Sequence, residues 1–242
     1  MKINYFISIL IAALLAPFSN VALADSDGDW IPVADSSKDS YQAKQGSGHV
    51  TTVDKKKNSG YVYVYQHTIK ADNTIHYGEA VVMLADCHKG YGYVIYNDMN
   101  GQYTGKDMFV RFGKTIADHL GSTACTSFDS ETGKASSQND GSWKLVAKSQ
   151  DKPGKEIYIK ENTFRRRMYK GQQSASILER FEDLSEDSSI YHEVIIPVND
   201  CQRGFGTMYK LNFDGELAYK TDIALHGDSV GAAVADEICS KL

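Results

Sequence analysis

One pattern of residues occurs twice in this chain. From Tyr77 to Cys125 it reads Glu79, Asp86-Cys87, Gly90-x-Gly92, Gly101, Lys106, Gly113 and Cys125. From Tyr191 to Cys239 it reads Glu193, Asp200-Cys201, Gly204-x-Gly206, Gly215, Lys220, Gly227 and Cys239. The offset is constant, since 191 − 77, 201 − 87, 215 − 101 and 239 − 125 all equal 114. A register that holds without a gap and shares two cysteines and four glycines marks an internal duplication. Trp30 and Trp143 open the two copies, each in the pattern Trp-x-x-Val-Ala, at an offset of 143 − 30 = 113. A single-residue length difference therefore separates the tryptophan part from the cysteine part.

Residues 1–24 carry one basic residue, Lys2, then an apolar run from Tyr5 to Ala16, Pro17, and Ala22-Leu23-Ala24. That is the order of a secretory signal peptide, and the run is too short for a membrane-spanning helix of about 20 residues. The expected mature chain begins at Asp25 and has 242 − 24 = 218 residues. Nothing downstream is long and apolar enough for a second membrane segment, so an integral membrane protein is not expected. Without Lys2 the formal charge moves from −5 to −6, which gives no global bias toward nucleic acid.

Four cysteines in an exported chain are expected to be bridged. Four allow three connectivities, but equal spacing, 125 − 87 = 239 − 201 = 38, selects Cys87 with Cys125 and Cys201 with Cys239. The spacing lacks the C-x-x-C of a zinc site, and no metal is expected. The domain reading is a signal peptide over 1–24, a first repeat over 25–125, a polar linker over 126–142 and a second repeat over 143–242.

Tyr61-Val62-Tyr63-Val64-Tyr65 alternates as a strand, with three tyrosines on one face that is expected to be half covered. The apolar runs Glu79 to Asp86 and Glu193 to Asp200 read as buried strands ending at the first cysteine of each copy. Pro197 in the second run implies an edge or a bulge. Asn100-Gly101 and Asp214-Gly215 read as hairpin turns whose central residues both tolerate positive φ. Ser174 to Asp183 fits strand or helix. Each copy is expected to close with a helix capped by Thr115 or Ser229, which the disulfide staples to the end of the buried strand.

No catalytic constellation is found. Gly227-Asp228-Ser229-Val230-Gly231 matches the nucleophile-elbow pattern, but no histidine follows it, and the first copy has Thr115 and Ala117 where the serine and second glycine stand. The seven histidines form no metal-binding spacing, and the glycine pairs lack the third glycine of a phosphate-binding turn. The glycines are better explained by a bulge or by close packing against helix or disulfide. Asp25-Ser26-Asp27-Gly28-Asp29 lacks the later glycine and acidic residue of a calcium loop. No cofactor is expected. The candidate partner-binding residues are two basic runs on an acidic chain, Lys55-Lys56-Lys57 and Arg165-Arg166-Arg167.

The order of tryptophan, basic run, Asp-Cys, glycine-rich hairpins and Ser229-Val-Gly-Ala-Ala-Val-Ala-Asp-Glu-Ile-Cys239 resembles the surface-adhesin protein E family of Gram-negative envelope proteins. Copy two carries the resemblance more fully than copy one. It implies an α+β class with two repeats, each a small antiparallel β-sheet with a C-terminal helix tied on by a disulfide. It also implies binding of a host matrix or envelope protein, and it has no catalytic motif to transfer. The expectation is a non-enzymatic exported protein, periplasmic, secreted or associated with the cell surface, that binds a protein partner. The alternatives are a periplasmic inhibitor or immunity protein, and a hydrolase without a recognisable motif. Recognition is expected in the segments that differ between copies, 36–66 and 148–189, and in the groove between the copies.

Overall fold

A computed structural model of the chain describes residues 30–133, 142–149, 154–185 and 188–242. The signal-peptide reading, the calcium-loop comparison and most of the linker lie outside the described residues. The described residues form two antiparallel sheets with four helices, α+β with strands dominant.

In the first lobe β1 (Trp30–Asp35), β2 (Asp39–Lys44), β4 (Lys56–Ile69), β5 (Thr74–Met83), β6 (Tyr91–Asn97) and β7 (Tyr103–Val110) lie in that order, and β3 (His49–Val53) pairs with β4. A short helix α1 (Leu84–Lys89) follows β5, and α2 (Ile116–Glu131) follows β7. In the second lobe β8 (Trp143–Lys148), β9 (Lys155–Tyr169), β10 (Gln172–Asp183), β11 (Ser188–Pro197), β12 (Phe205–Leu211) and β13 (Leu217–Ala224) form a meander. Helix α3 (Val198–Arg203) follows β11, and α4 (Val230–Cys239) closes the chain. Ser174 to Asp183 is therefore strand.

Each long helix covers one face of its sheet. Tyr61, Tyr63, Ala80, Val82, Val94 and Phe109 pack against Leu120, Ala124 and Phe128 of α2. In the second lobe Ile157, Ile159, Ala175, Ile177, Val194, Ile196 and Met208 pack against Val234, Ala235 and Ile238 of α4. The tyrosine face of β4 is thus core and not a half-covered surface. Its hydroxyls find acceptors at the buried ends, Tyr63 donating to the Leu120 carbonyl at 3.0 Å and Tyr61 to Glu131.

Both disulfides join the predicted partners, with Cα–Cα separations of 5.2 Å for Cys87–Cys125 and 5.3 Å for Cys201–Cys239. The first cysteine of each pair is on α1 or α3, not on a strand. The apolar run conceals the change, because Leu84 and Val198 extend the hydrophobic pattern while the backbone has already turned into a helix. Pro197 is the N-cap of α3 and the last residue of β11, so its missing N–H interrupts no central ladder. Gly90 and Gly204 end the two short helices at φ 85° and 79°.

The Asp-Cys-x-x-Gly-x-Gly pattern then has a mechanical reading. Asp200 folds back over the next strand, and its Oδ2 accepts the Thr207 N–H at 2.9 Å. Asp86 does the same to Tyr93 at 3.4 Å. A Cβ on Gly206 or Gly92 would collide with that carboxylate. This is the close packing against a helix that the glycine pairs imply.

Three further expectations need adjustment. At the hairpins only the glycine takes positive φ, 78° at Gly101 and 88° at Gly215, while Asn100 and Asp214 do not. Val230 begins the α4 stripe but is exposed. Helix α2 continues to Glu131, six residues into the segment that reads as linker. Its polar composition hides three anchors: Phe128 is buried in the core, Asp129 accepts from Arg111 Nη2 at 2.7 Å, and Glu131 receives the Tyr61 hydroxyl.

Candidate functional site

The uncovered faces of the two sheets meet. Tyr91 and Val110 of the first lobe pack with Leu178 and Tyr191 of the second, flanked by Met108, Trp143 and Phe213. The Phe213 ring lies 4.9 Å from Tyr91 and 6.3 Å from Tyr191. Cations close the edges: Lys89 Nζ sits 3.8 Å above the Tyr91 ring, Arg165 lies 5.5 Å from it, and Lys106 pairs with Asp214 at 3.1 Å. Burial pushes the Tyr91 hydroxyl up to about 12 and pulls the Lys89 ammonium down.

The polar centre of the contact is Asp118, fully buried in the first turn of α2. Its Oδ1 accepts from Val110 N–H at 2.6 Å, and its Oδ2 accepts from Thr115 N–H at 2.8 Å and from the Tyr191 hydroxyl at 2.5 Å. Thr115 returns the bond by accepting the Asp118 N–H at 3.1 Å, a reciprocal cap. Gly113 is required beside it, because a Cβ there would meet the Asp118 carboxylate. Copy two has Ala232 at the position equivalent to Asp118, so the duplicated pattern gives no signal for this residue.

Next to this contact the lobes leave a cleft of about 790 Å³. One wall is the β1–β2 turn, Asp107 and Met108 of β7, and residues 114–117 with His119 at the start of α2. The other is the β10–β11 hairpin, with Glu182, Asp183, Leu184, Ser188 and Ser189, and Tyr191 at the base. Among the described residues four carboxylates line it, Asp35, Asp107, Glu182 and Asp183, with one lysine, Lys114. Most are paired with cations. Asp35 pairs with Lys70 at 2.7 Å, Asp183 with Lys155 at 3.9 Å, and Glu182 with Arg180 Nε at 2.9 Å and Lys114 at 3.6 Å. Arg180 is itself sandwiched between the Trp143 and Tyr158 rings at 4.6 and 4.5 Å. The carboxylates are thus largely compensated, and the cleft presents fixed carboxylate and hydroxyl oxygens that suit an amide-rich segment.

The two basic runs lie on different lobes. Lys55 is at the tip of the β3–β4 turn, where Asp54 and Lys55 both take positive φ, and Lys56 and Lys57 begin β4; all three are exposed. Arg165, Arg166 and Arg167 lie exposed on β9, but each is engaged. Arg165 covers Tyr91, Arg166 donates to the Leu242 carbonyl at 2.5 Å, and Arg167 pairs with Glu193 at 2.7 Å. Ser229 serves as the cap of α4, accepting the Ala232 N–H at 3.0 Å. Among the described residues no group of three His, Cys, Asp or Glu is placed to hold a metal ion, and no helix is long and apolar enough to cross a membrane.

A second polar cluster is buried under α4's sheet face. Glu179 receives the Lys210 ammonium, and His192 Nδ1 lies 3.9 Å from the same carboxylate oxygen. Burial first and the Lys210 charge second push the His192 imidazole down to about 4. The unfolded imidazole keeps its ordinary value of 6.5, so between pH 6.5 and 4 the unfolded chain takes up a proton that the folded one refuses. Stability from this group is present above pH 6.5 and lost as the pH falls. Relative to His192→Gln, the wild type is expected to lose about 1–3 kcal/mol between pH 7 and pH 4, read from urea unfolding. Glu179, whose carboxyl burial pushes up, is present in both proteins and contributes the opposite slope to both. Parallel stability curves would refute the assignment.

No family model, no curated protein and no solved structure matches this chain.

Proposed function

We propose that this chain is an exported, non-enzymatic binding protein that recognises a protein partner, and that the interlobe cleft receives it. The observation that carries the reading is the cleft's lining. Its second wall and the turn at Ser36 and Ser37 come from segments 36–66 and 148–189, where the copies differ, while the duplicated pattern supplies disulfides, caps and packing. The cleft's fixed carboxylate and hydroxyl oxygens favour a partner segment that donates hydrogen bonds. Two disulfides fit an oxidising compartment and so support export. We read each lobe as a unit of the surface-adhesin protein E type. The support is the 114-residue register, the shared meander order and the disulfide-tied helix on each sheet.

The test is capture from envelope extract and from host matrix by the immobilised mature chain. Leu184→Arg, on the exposed rim of the cleft, is expected to reduce recovery of the captured protein about tenfold or more. The triple change of Arg165, Arg166 and Arg167 to Ala, made outside the cleft, is expected to change it less. Equal recovery by Leu184→Arg and wild type would remove the cleft from the proposal. Loss with the triple variant alone would return recognition to the basic run.

A further inference from the structure

The interlobe contact uses different parts of the two lobes, and each lobe keeps unused the part that the other employs. The first lobe contributes Tyr91 with Lys89 over its ring; the second receives it with Trp143, Tyr191 and Phe213. Moved by the sequence offset, the receiving set becomes Trp30, Tyr77 and Met99 on the first lobe, and the inserted ring becomes Phe205 on the second. Three of these positions carry large exposed apolar side chains, and Trp30 is partly buried as Trp143 is. Tyr77 is 49 % exposed, Met99 53 % and Phe205 59 %, whereas Tyr191 is 1 % exposed.

The geometry of the open set is already that of the occupied one. Trp30 and Tyr77 lie 5.7 Å apart at an interplanar angle of 40°, and Trp143 and Tyr191 lie 5.9 Å apart at 33°. The inserted side is matched as well, since Arg203 sits 5.2 Å over Phe205 as Lys89 sits over Tyr91. Charges keep their signs at these positions, Lys89 and Glu193 being matched by Arg203 and Glu79.

We propose that the Trp30, Tyr77 and Met99 face of the first lobe docks a second copy of this chain, which presents its Phe205 and Arg203 face head to tail. The contact repeats between molecules the packing that joins the lobes within one. It is heterologous, because two different patches of the same molecule meet, so copies add in a row. It is also weaker than its internal model. Met108, Val110 and Asp118 are replaced on the donor side by Asp222, Ala224 and Ala232, which thins the apolar contact and removes the acceptor for the tyrosine hydroxyl. A reversible, concentration-dependent association follows.

Sedimentation equilibrium of the mature chain tests this. The weight-average mass is expected to rise with concentration, and Tyr77→Asp or Phe205→Glu is expected to weaken association about tenfold or more. Both positions are surface-exposed, and thermal unfolding of the variants checks that the fold is kept. An equimolar mixture of the two variants is expected to form pairs and nothing larger, since it retains one intact face of each kind. Met168→Asp, exposed on β9, is expected to associate as the wild type does. A wild type that stays monomeric up to about 1 mM, variants that associate like it, or a mixture that grows beyond pairs would each overturn the proposal.

Discussion

Replacing Lys210 by Met is expected to lower the stability of the protein by about 3–5 kcal/mol, because it leaves a carboxylate buried without its counter-charge. Glu179 is 0 % exposed and Lys210 4 %, and they meet on the face of the second sheet that α4 covers. The second oxygen of Glu179 has no hydrogen-bond donor among the described residues, so Lys210 carries most of the compensation. Burial already pushes the carboxyl up against the pull of the ammonium. Without the ammonium the group must take up a proton or be hydrated on folding. The double change of Glu179 and Lys210 to Met removes both charges and keeps similar volume, so it is expected to lie within about 1–2 kcal/mol of wild type. Urea unfolding of the two variants decides the matter. A single variant that costs less than about 1 kcal/mol, or a double variant as unstable as the single, would show that the pair is not what balances the site.

Asp118→Ala is the second large effect, expected at about 3–5 kcal/mol. Three donors lose their acceptor in a dry environment, the Val110 and Thr115 N–H groups and the Tyr191 hydroxyl, at about 1–3 kcal/mol each, less what relaxation recovers. The substitution also removes half of the reciprocal cap of α2. Its distinguishing sign is spatial. Tyr191→Phe removes only the interlobe donor and is expected to cost about 1 kcal/mol, so the difference between the variants isolates the part of Asp118 that serves its own lobe. Hydrogen exchange at Val110 and along the first turn of α2 should accelerate in Asp118→Ala and remain near wild type in Tyr191→Phe. Equal acceleration in both would make the tyrosine, not the cap, the main support of that turn.

The legible part of this molecule is the part that repeats locally. The cysteine pairs, the caps Thr115 and Ser229 and the alternation of β4 each depend on a few neighbouring residues whose chemistry has one good solution. What escaped has an equally physical cause. Helices α1 and α3 hide inside apolar runs, and Phe128, Asp129 and Glu131 look like linker until β4 and Arg111 are placed against them. The tyrosines of β4 read as a half-covered face because alternation reports two faces without saying what lies over either.

The candidate site follows the same division. The sequence points to the differing segments and to the groove between copies, and the cleft is lined from both. It also points to Arg165, Arg166 and Arg167, which folding commits to Tyr91, Leu242 and Glu193. A charge run shows that cations are present. Only the fold supplies the partners that occupy them.

By itself, then, the sequence determined the doubled pattern and both cysteine pairings, because a constant 114-residue register and a 38-residue cysteine spacing are properties of the chain alone. The tertiary structure decided the asymmetry between the copies. The same tyrosine is covered in the second lobe and open in the first, while the tryptophan beside it is partly buried in both. Burial belongs to a pair of surfaces, and two equal sets of residues become unequal once one of them has been used to join the lobes.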